Sequence, residues 1–159
     1  MLHVNHLIGF GVIAASGNTP HRYWRWNNIS ASGVPNASWM LTEEMEILLS
    51  GVDLIPAMTA ATTSGVTISA DGETANVSWR VGDNTAAYWE VAAQTGHWLK
   101  VDFGSAVAPN AYSVKGYTGW NPVSWDFQWS DDNSAWTTID SQTGQSTSGA
   151  RIEYALPAY

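Results

Sequence analysis

His97-Trp98-Leu99-Lys100-Val101-Asp102-Phe103-Gly104, then Tyr112-Ser113-Val114-Lys115, then Pro122-Val123-Ser124-Trp125-Asp126-Phe127-Gln128-Trp129-Ser130-Asp131-Asp132-Asn133, then Trp136-Thr137-Thr138-Ile139: these words decide the fold. Leu99, Val101 and Phe103 alternate with Trp98, Lys100 and Asp102. Trp125, Phe127 and Trp129 alternate with Ser124, Asp126 and Gln128. Successive side chains on a strand point to opposite faces, so this period of two marks half-buried strands. Gly104, Pro109-Asn110, Gly119 to Pro122 and Asp131-Asp132-Asn133 have turn composition and separate them. Short strands broken by turns predict an all-β antiparallel sandwich or barrel.

The flanks extend this pattern. His21 to Ile29 reads as a strand with Trp24 and Trp26 on one face and Tyr23 and Arg25 on the other. Ser30 to Ser38 is a Gly/Pro/Asn loop. Trp39 to Ser50 is ambiguous. Thr42-Glu43-Glu44 before an apolar run can open a helix, yet Met45, Ile47 and Leu49 alternate with Glu44, Glu46 and Leu48 as in a strand. Ala57 to Ser64 reads as an Ala/Thr linker, Val66 to Ala70 as a short strand, and Ser141 to Gly149 as a polar, mobile loop. Arg151 to Leu156 reads as a last strand, with Ile152, Tyr154 and Leu156 on one face.

The 159 residues suit one domain with a real core, taken as residues 20–159. Residues 1–19 form a Gly-rich apolar arm in which Leu7, Ile8, Phe10, Val12 and Ile13 call for a partner surface. Leu7 to Ala15 has the apolar character of a signal-peptide core, but no Lys or Arg precedes it, so an assembly arm is the expectation. A net charge of −8 without a basic cluster argues against nucleic acid. No apolar run is long enough for a membrane-spanning helix, and the lack of cysteine excludes disulfides and thiolate metal sites. Ten tryptophans exceed what a core this size hides, so some should line a surface.

The order Trp98-Leu99-x-Val101-Asp102-Phe103-Gly104, a Pro-x-x-aromatic strand, Ser130-Asp131-Asp132-x-x-x-Trp136 and a following apolar strand resembles the discoidin domain. That family is also known as the coagulation-factor C-type or galactose-binding-like jelly roll. The resemblance covers roughly residues 20–159. It favours a strand at Trp39 to Ser50, where the family carries a Glu-x-Glu-x strand. In the family, an Arg-Tyr-x-Arg strand and a Glu-Leu strand come last. Here Arg22-Tyr23-Trp24-Arg25 and Glu44-Met45-Glu46-Ile47 come first, while Ile152 to Pro157 is similar to the segment that normally leads into the Arg-Tyr strand. A circular permutation follows as an expectation, and it requires Tyr159 to lie near Pro20 and His21.

The resemblance also implies a site. The family's ligand residues sit on loops at one end of the sandwich. Tyr117-Thr118-Gly119-Trp120-Asn121-Pro122 has the right chemistry there, with Arg80, Tyr88 and His97 on segments often brought to the same end. Trp39 and Trp120 are expected to be exposed, and Trp120 serves either a glycan or a protein neighbour. Trp89, Trp98, Trp125 and Trp136 resemble core positions. The family's entry loop often holds structural calcium. Asp83 and Asn84 are the candidate ligands here, although the acidic residue before the glycine is missing.

Catalysis is not expected. Glu43, Glu44 and Glu46 share one segment and cannot flank a substrate; Asp131 and Asp132 sit in a turn; no phosphate loop or nucleophile elbow is present. The His21-Arg22-Tyr23-Trp24-Arg25 phrase is similar to the version of the family found in bacteriophage virion proteins. The expected function is therefore a non-enzymatic virion component, a decoration, tail or fibre protein. It would self-associate or dock on other virion proteins and use the sandwich to bind host glycans. The alternative is a carbohydrate-binding module of a bacterial surface protein or glycosidase.

Overall fold

The computed structural model describes residues 17–31, 39–92 and 95–159. The proposed arm residues Leu7, Ile8, Phe10, Val12 and Ile13 lie outside them. The described residues form β1 (His21–Ser30), β2 (Trp39–Leu49), β3 (Val52–Asp53), β4 (Thr62–Thr63), β5 (Val66–Ala70), a 3-10 turn (Ser78–Gly82), β6 (Trp89–Ala92), β7 (His97–Val107), β8 (Ala111–Gly116), β9 (Ser124–Ser130), β10 (Thr137–Gln142) and β11 (Ile152–Ala155). One sheet runs β10-β9-β1-β7-β5-β4. The other runs β11-β8-β2-β3, with β6 also paired to β2. The strand pairs are antiparallel, and the chain is the expected all-β sandwich.

The alternation sets which face is buried. Trp24 and Trp26 on β1, Leu99 and Val101 on β7, and Trp125 and Phe127 on β9 point inward and are almost fully buried. The facing sheet supplies Met45, Ile47, Tyr112 and Val114. Across the gap Tyr112 stacks on Phe127 at 4.2 Å, and within the sheets Tyr112 stacks on Tyr154 at 5.1 Å and Trp26 tilts against Phe127 at 5.1 Å. Each such buried aromatic contributes roughly 1.5–3 kcal/mol by leaving water.

The ambiguous Trp39 to Ser50 segment is strand β2, and it is buried on both sides. Met45 and Ile47 face the core, while Glu44, Glu46 and Leu48 face away from it yet are also covered. Glu46 tolerates this because the Ser113 hydroxyl donates to it at 2.5 Å and Arg151 at 2.7 Å.

Three expectations need correction. Gly104 does not end its strand. It lies within β7 at a bulge, with φ +70°, where an added Cβ would come within 3.0 Å of the Gly65 carbonyl oxygen. Ala57 to Ser64 is not a simple linker, because Met58 plugs the core and Thr62–Thr63 pairs with β5. Ser141 to Gly149 is tied down: β10 runs to Gln142, the Gln145 N–H donates to Val123, the Gly116 N–H donates to Thr147, and the Thr147 hydroxyl donates to Pro122. The segment before β1 and the segment after β11 meet as a permuted order requires. The Thr19 N–H donates to the Tyr159 carbonyl at 3.1 Å, and the Tyr159 ring lies 6.0 Å from His21 and 5.7 Å from Trp24.

Candidate functional site

At one end of the sandwich, β2 begins and β8 ends. Tyr117 to Trp120 forms a turn closed by the Trp120 N–H donating to the Tyr117 carbonyl at 3.1 Å. Gly119 holds φ +84°, the left-handed position at the third residue that a type II turn reserves for glycine. Two further backbone bonds clamp the turn to β2, from the Tyr117 N–H to the Leu41 carbonyl and from the Leu41 N–H to the Trp120 carbonyl. The Tyr117 ring then meets Trp120 edge-on at 5.9 Å and Tyr88 at 5.1 Å. All three rings are half-buried. Each is partly packed and partly open, a form that accepts the apolar C–H face of a sugar while the phenol hydroxyls can hydrogen-bond.

The other expected site residues are placed differently. Trp39 opens β2 and is 39% exposed, whereas Trp120 is half-buried rather than exposed. Asn121 is buried and does not present its amide outward. Its amide nitrogen donates to the Pro122 carbonyl, and its Cβ fills the space above Gly116. His97 is engaged by Asp71, with Nδ1 3.1 Å from the carboxylate, while the same carboxylate accepts the Trp98 N–H. Arg80 belongs to the 3-10 turn, 4.0 Å from Asp83 and stacked at 5.4 Å on Trp79.

The candidate calcium ligands Asp83 and Asn84 sit in a turn in which Asp83 is already engaged. Oδ1 of Asp83 accepts both the N–H and the hydroxyl of Thr85, at 2.9 and 2.6 Å, and its other oxygen faces Arg80. Asn84 is an exposed turn residue with φ +57°. Among the described residues no group of three or more His, Asp or Glu side chains converges on one point. This loop is held by an Asx turn.

Two tryptophans read as core lie elsewhere. Trp89 and Trp125 are core residues, but Trp98 and Trp136 are half-buried on the outer face of the six-stranded sheet. With Arg25, Lys100 and Asn133 they line an open cleft of about 240 Å³. The signal was present in the alternation, which puts Trp98 and Lys100 opposite Leu99 and Val101, and Arg25 opposite Trp24 and Trp26. The pairing of β1 with β7 was needed to join them.

A family model described as a NedA-like, galactose-binding domain matches residues 70–158, more than half of the chain. The protein belongs to this family. It is the galactose-binding-like, discoidin-type family that the motifs between Trp98 and Trp136 resemble. Searches among curated proteins and among solved structures returned no match. The galactose-binding-like match takes in β6 to β11 and leaves out β1 and β2, although each of these strands is an inner member of its sheet.

Proposed function

We propose that the protein is a non-enzymatic carbohydrate-binding domain whose sugar-facing surface is the ring cluster of Tyr88, Tyr117 and Trp120. The observation that carries this is the clamped turn. Backbone bonds on both sides fix the backbone that carries two of the three rings before any ligand arrives, which lowers the entropy cost of binding. Membership of a galactose-binding-like family supports a sugar as the ligand. The test is titration of the full chain with galactose and galactose-terminated oligosaccharides, followed by NMR, with Trp120→Ala and Tyr117→Ala beside the parent. Binding by the parent and at least a tenfold loss in both folded variants is expected. Equal affinity in the parent and Trp120→Ala would remove the cluster from the site.

A second reading places this domain in a phage virion as an attachment component that docks through the apolar segment at residues 1–19. It is supported by Leu7, Ile8, Phe10, Val12 and Ile13 and by the His21 to Arg25 phrase. Light scattering on the full chain and on a chain lacking residues 1–19 tests self-association. A mass that falls on truncation supports the arm, and two equal monomer masses count against it.

A further inference from the structure

The chain has six Lys and Arg side chains against fourteen Asp and Glu. With such an excess of acid, every cation should find a carboxylate. Four do: Arg22 pairs with Asp102, Arg80 with Asp83, Lys115 with Glu43 and Arg151 with Glu46. Arg25 and Lys100 are in no ion pair among the described residues. They stand directly opposite each other across β1 and β7, and they line the same cleft. Like charges placed face to face across two strands destabilise a sheet.

The surroundings hold this arrangement in place. Arg25 Nε donates to Gln128 Oε1 at 2.7 Å, and Gln128 donates on to Thr138, so one edge of the guanidinium is fixed. Its Cζ lies over the Trp136 ring, 4.0 Å from the ring centroid. Its two Nη groups have no acceptor among the described residues. Lys100 Nζ donates to Asn133 Oδ1 at 3.0 Å and lies 5.7 Å from the Trp98 ring. Nearby carboxylates are occupied. Asp102 takes Arg22 in a two-pronged bond, Asp131 takes His21, and Asp132 accepts the N–H groups of Ser134 and Ala135 at 2.8 Å. Those last bonds also shape the loop that carries Trp136 over Arg25. Burial lowers the proton affinity of Arg25, with no carboxylate to offset it.

We infer that this cleft is a second binding site, separate from the ring cluster, for the carboxylate-bearing ring of an acidic saccharide, a hexuronate unit. The free edge of Arg25 presents paired N–H donors, the geometry that carboxylates take. Lys100 adds a second positive charge beside it. The two indoles supply apolar walls for a pyranose ring. The cleft volume of about 240 Å³ suits one small ring rather than a long chain.

The test is titration of the full chain with a uronate trisaccharide, followed by tryptophan fluorescence and by NMR. Acetate, sulfate and neutral galactose serve as comparison ligands. Lys100→Gln, Arg25→Gln and Trp136→Ala are measured beside the parent, with the melting temperature as the check on folding. The parent should bind uronate, with affinity falling as salt rises. Lys100→Gln should lose about tenfold, a step of 1.4 kcal/mol, and keep its response to galactose at the ring cluster. Trp120→Ala should leave uronate binding unchanged, so the two sites fail independently. Uronate affinity equal in the parent and Lys100→Gln, or no uronate binding by the folded parent, overturns the site. Displacement of uronate by equimolar acetate or sulfate overturns the saccharide assignment, because the cleft would then hold any small anion.

Discussion

Trp125 donates its indole N–H to the Tyr112 hydroxyl at 2.9 Å, and that hydroxyl donates in turn to Asp140 at 2.6 Å. Tyr112 belongs to one sheet, and Trp125 and Asp140 belong to the other, so a single oxygen bonds the two layers. Burial, then the bond to Asp140, hold the Tyr112 hydroxyl well above its ordinary pKa, so it stays a donor. Tyr112→Phe keeps the ring stack on Phe127 but leaves the buried Trp125 N–H without an acceptor. Asp140 still accepts from Gln142. The expected cost is about 1–3 kcal/mol, read as a lower urea midpoint at unchanged slope. A midpoint identical to that of the parent would show that the link contributes nothing.

The outer face of β2 predicts a pH dependence. Burial, then the charges of Asp83 and Glu46, push Glu44 up to about 8 from an ordinary 4.5, against the pull of Lys115. Burial raises Asp53 to about 6, although it accepts the N–H groups of Ile55 and Ile47. The folded chain therefore holds protons that the unfolded chain has released. The stability from this is complete below pH about 4.5 and is lost as pH climbs to about 8. Asp102 runs the other way: its bond to Arg22 lowers its pKa, so its contribution disappears only below the ordinary carboxylate range. Melting temperatures taken across this range should fall as pH rises, and Glu44→Gln should flatten the slope. Parallel slopes in parent and variant would assign the dependence to other groups.

What could be read from the sequence depended on how local the cause was. β1, β7 and β9 each turn an apolar face to the core and a polar face away from it, so the alternation of Trp24 with Arg25, Leu99 with Lys100 and Phe127 with Gln128 marked both strand and facing. β2 was ambiguous because both its faces are covered, and glutamates on a buried strand mimic the polar side of a helix. The ring cluster was readable in part: Tyr117 and Trp120 are neighbours in one turn, whereas Asn121 turns inward over Gly116, where it shares the space left by the missing side chain with Thr147. The cleft was not readable. Arg25 and Lys100 become partners only through the register of β1 on β7, and Trp136 reaches them only because Asp132 folds its loop back.

Gly116 should be intolerant of any side chain. A Cβ there would lie 2.2 Å from the Asn121 Cβ and 2.8 Å from both the Asn121 backbone and the Thr147 hydroxyl. Backbone cannot swing aside, so no rotamer change relieves the clash. Gly116→Ala is expected to destabilise by about 1–3 kcal/mol. It should also disturb the Tyr117 to Trp120 turn, because Gly116 bonds Thr147 and Gly149 through its backbone. Gly17→Ala is the control, since its Cβ would meet nothing within 4 Å. Denaturation midpoints together with the Trp120 indole NMR shift check both effects. Equal midpoints for the two variants would mean that the loop yields freely.

The meeting of Thr19 and Tyr159 predicts that chain order is interchangeable. The family match begins at residue 70, and β1 and β2 precede it, yet they occupy inner places in the two sheets. A chain that starts at Ala61, runs to Tyr159, continues through a short Gly/Ser linker to Thr19 and ends at Ala60 would follow the family's strand order. The join is short, because the Thr19 N–H already bonds the Tyr159 carbonyl. The cut falls between two exposed residues beyond Met58, which stays attached to β3 and in the core. Chain ends that lie together at the surface make such rewiring tolerable. The rearranged chain should keep the near-ultraviolet circular dichroism of the parent's aromatic core and unfold in one cooperative step. A chain that collapses without those signals would show that β1 and β2 must precede the other strands for the sandwich to assemble.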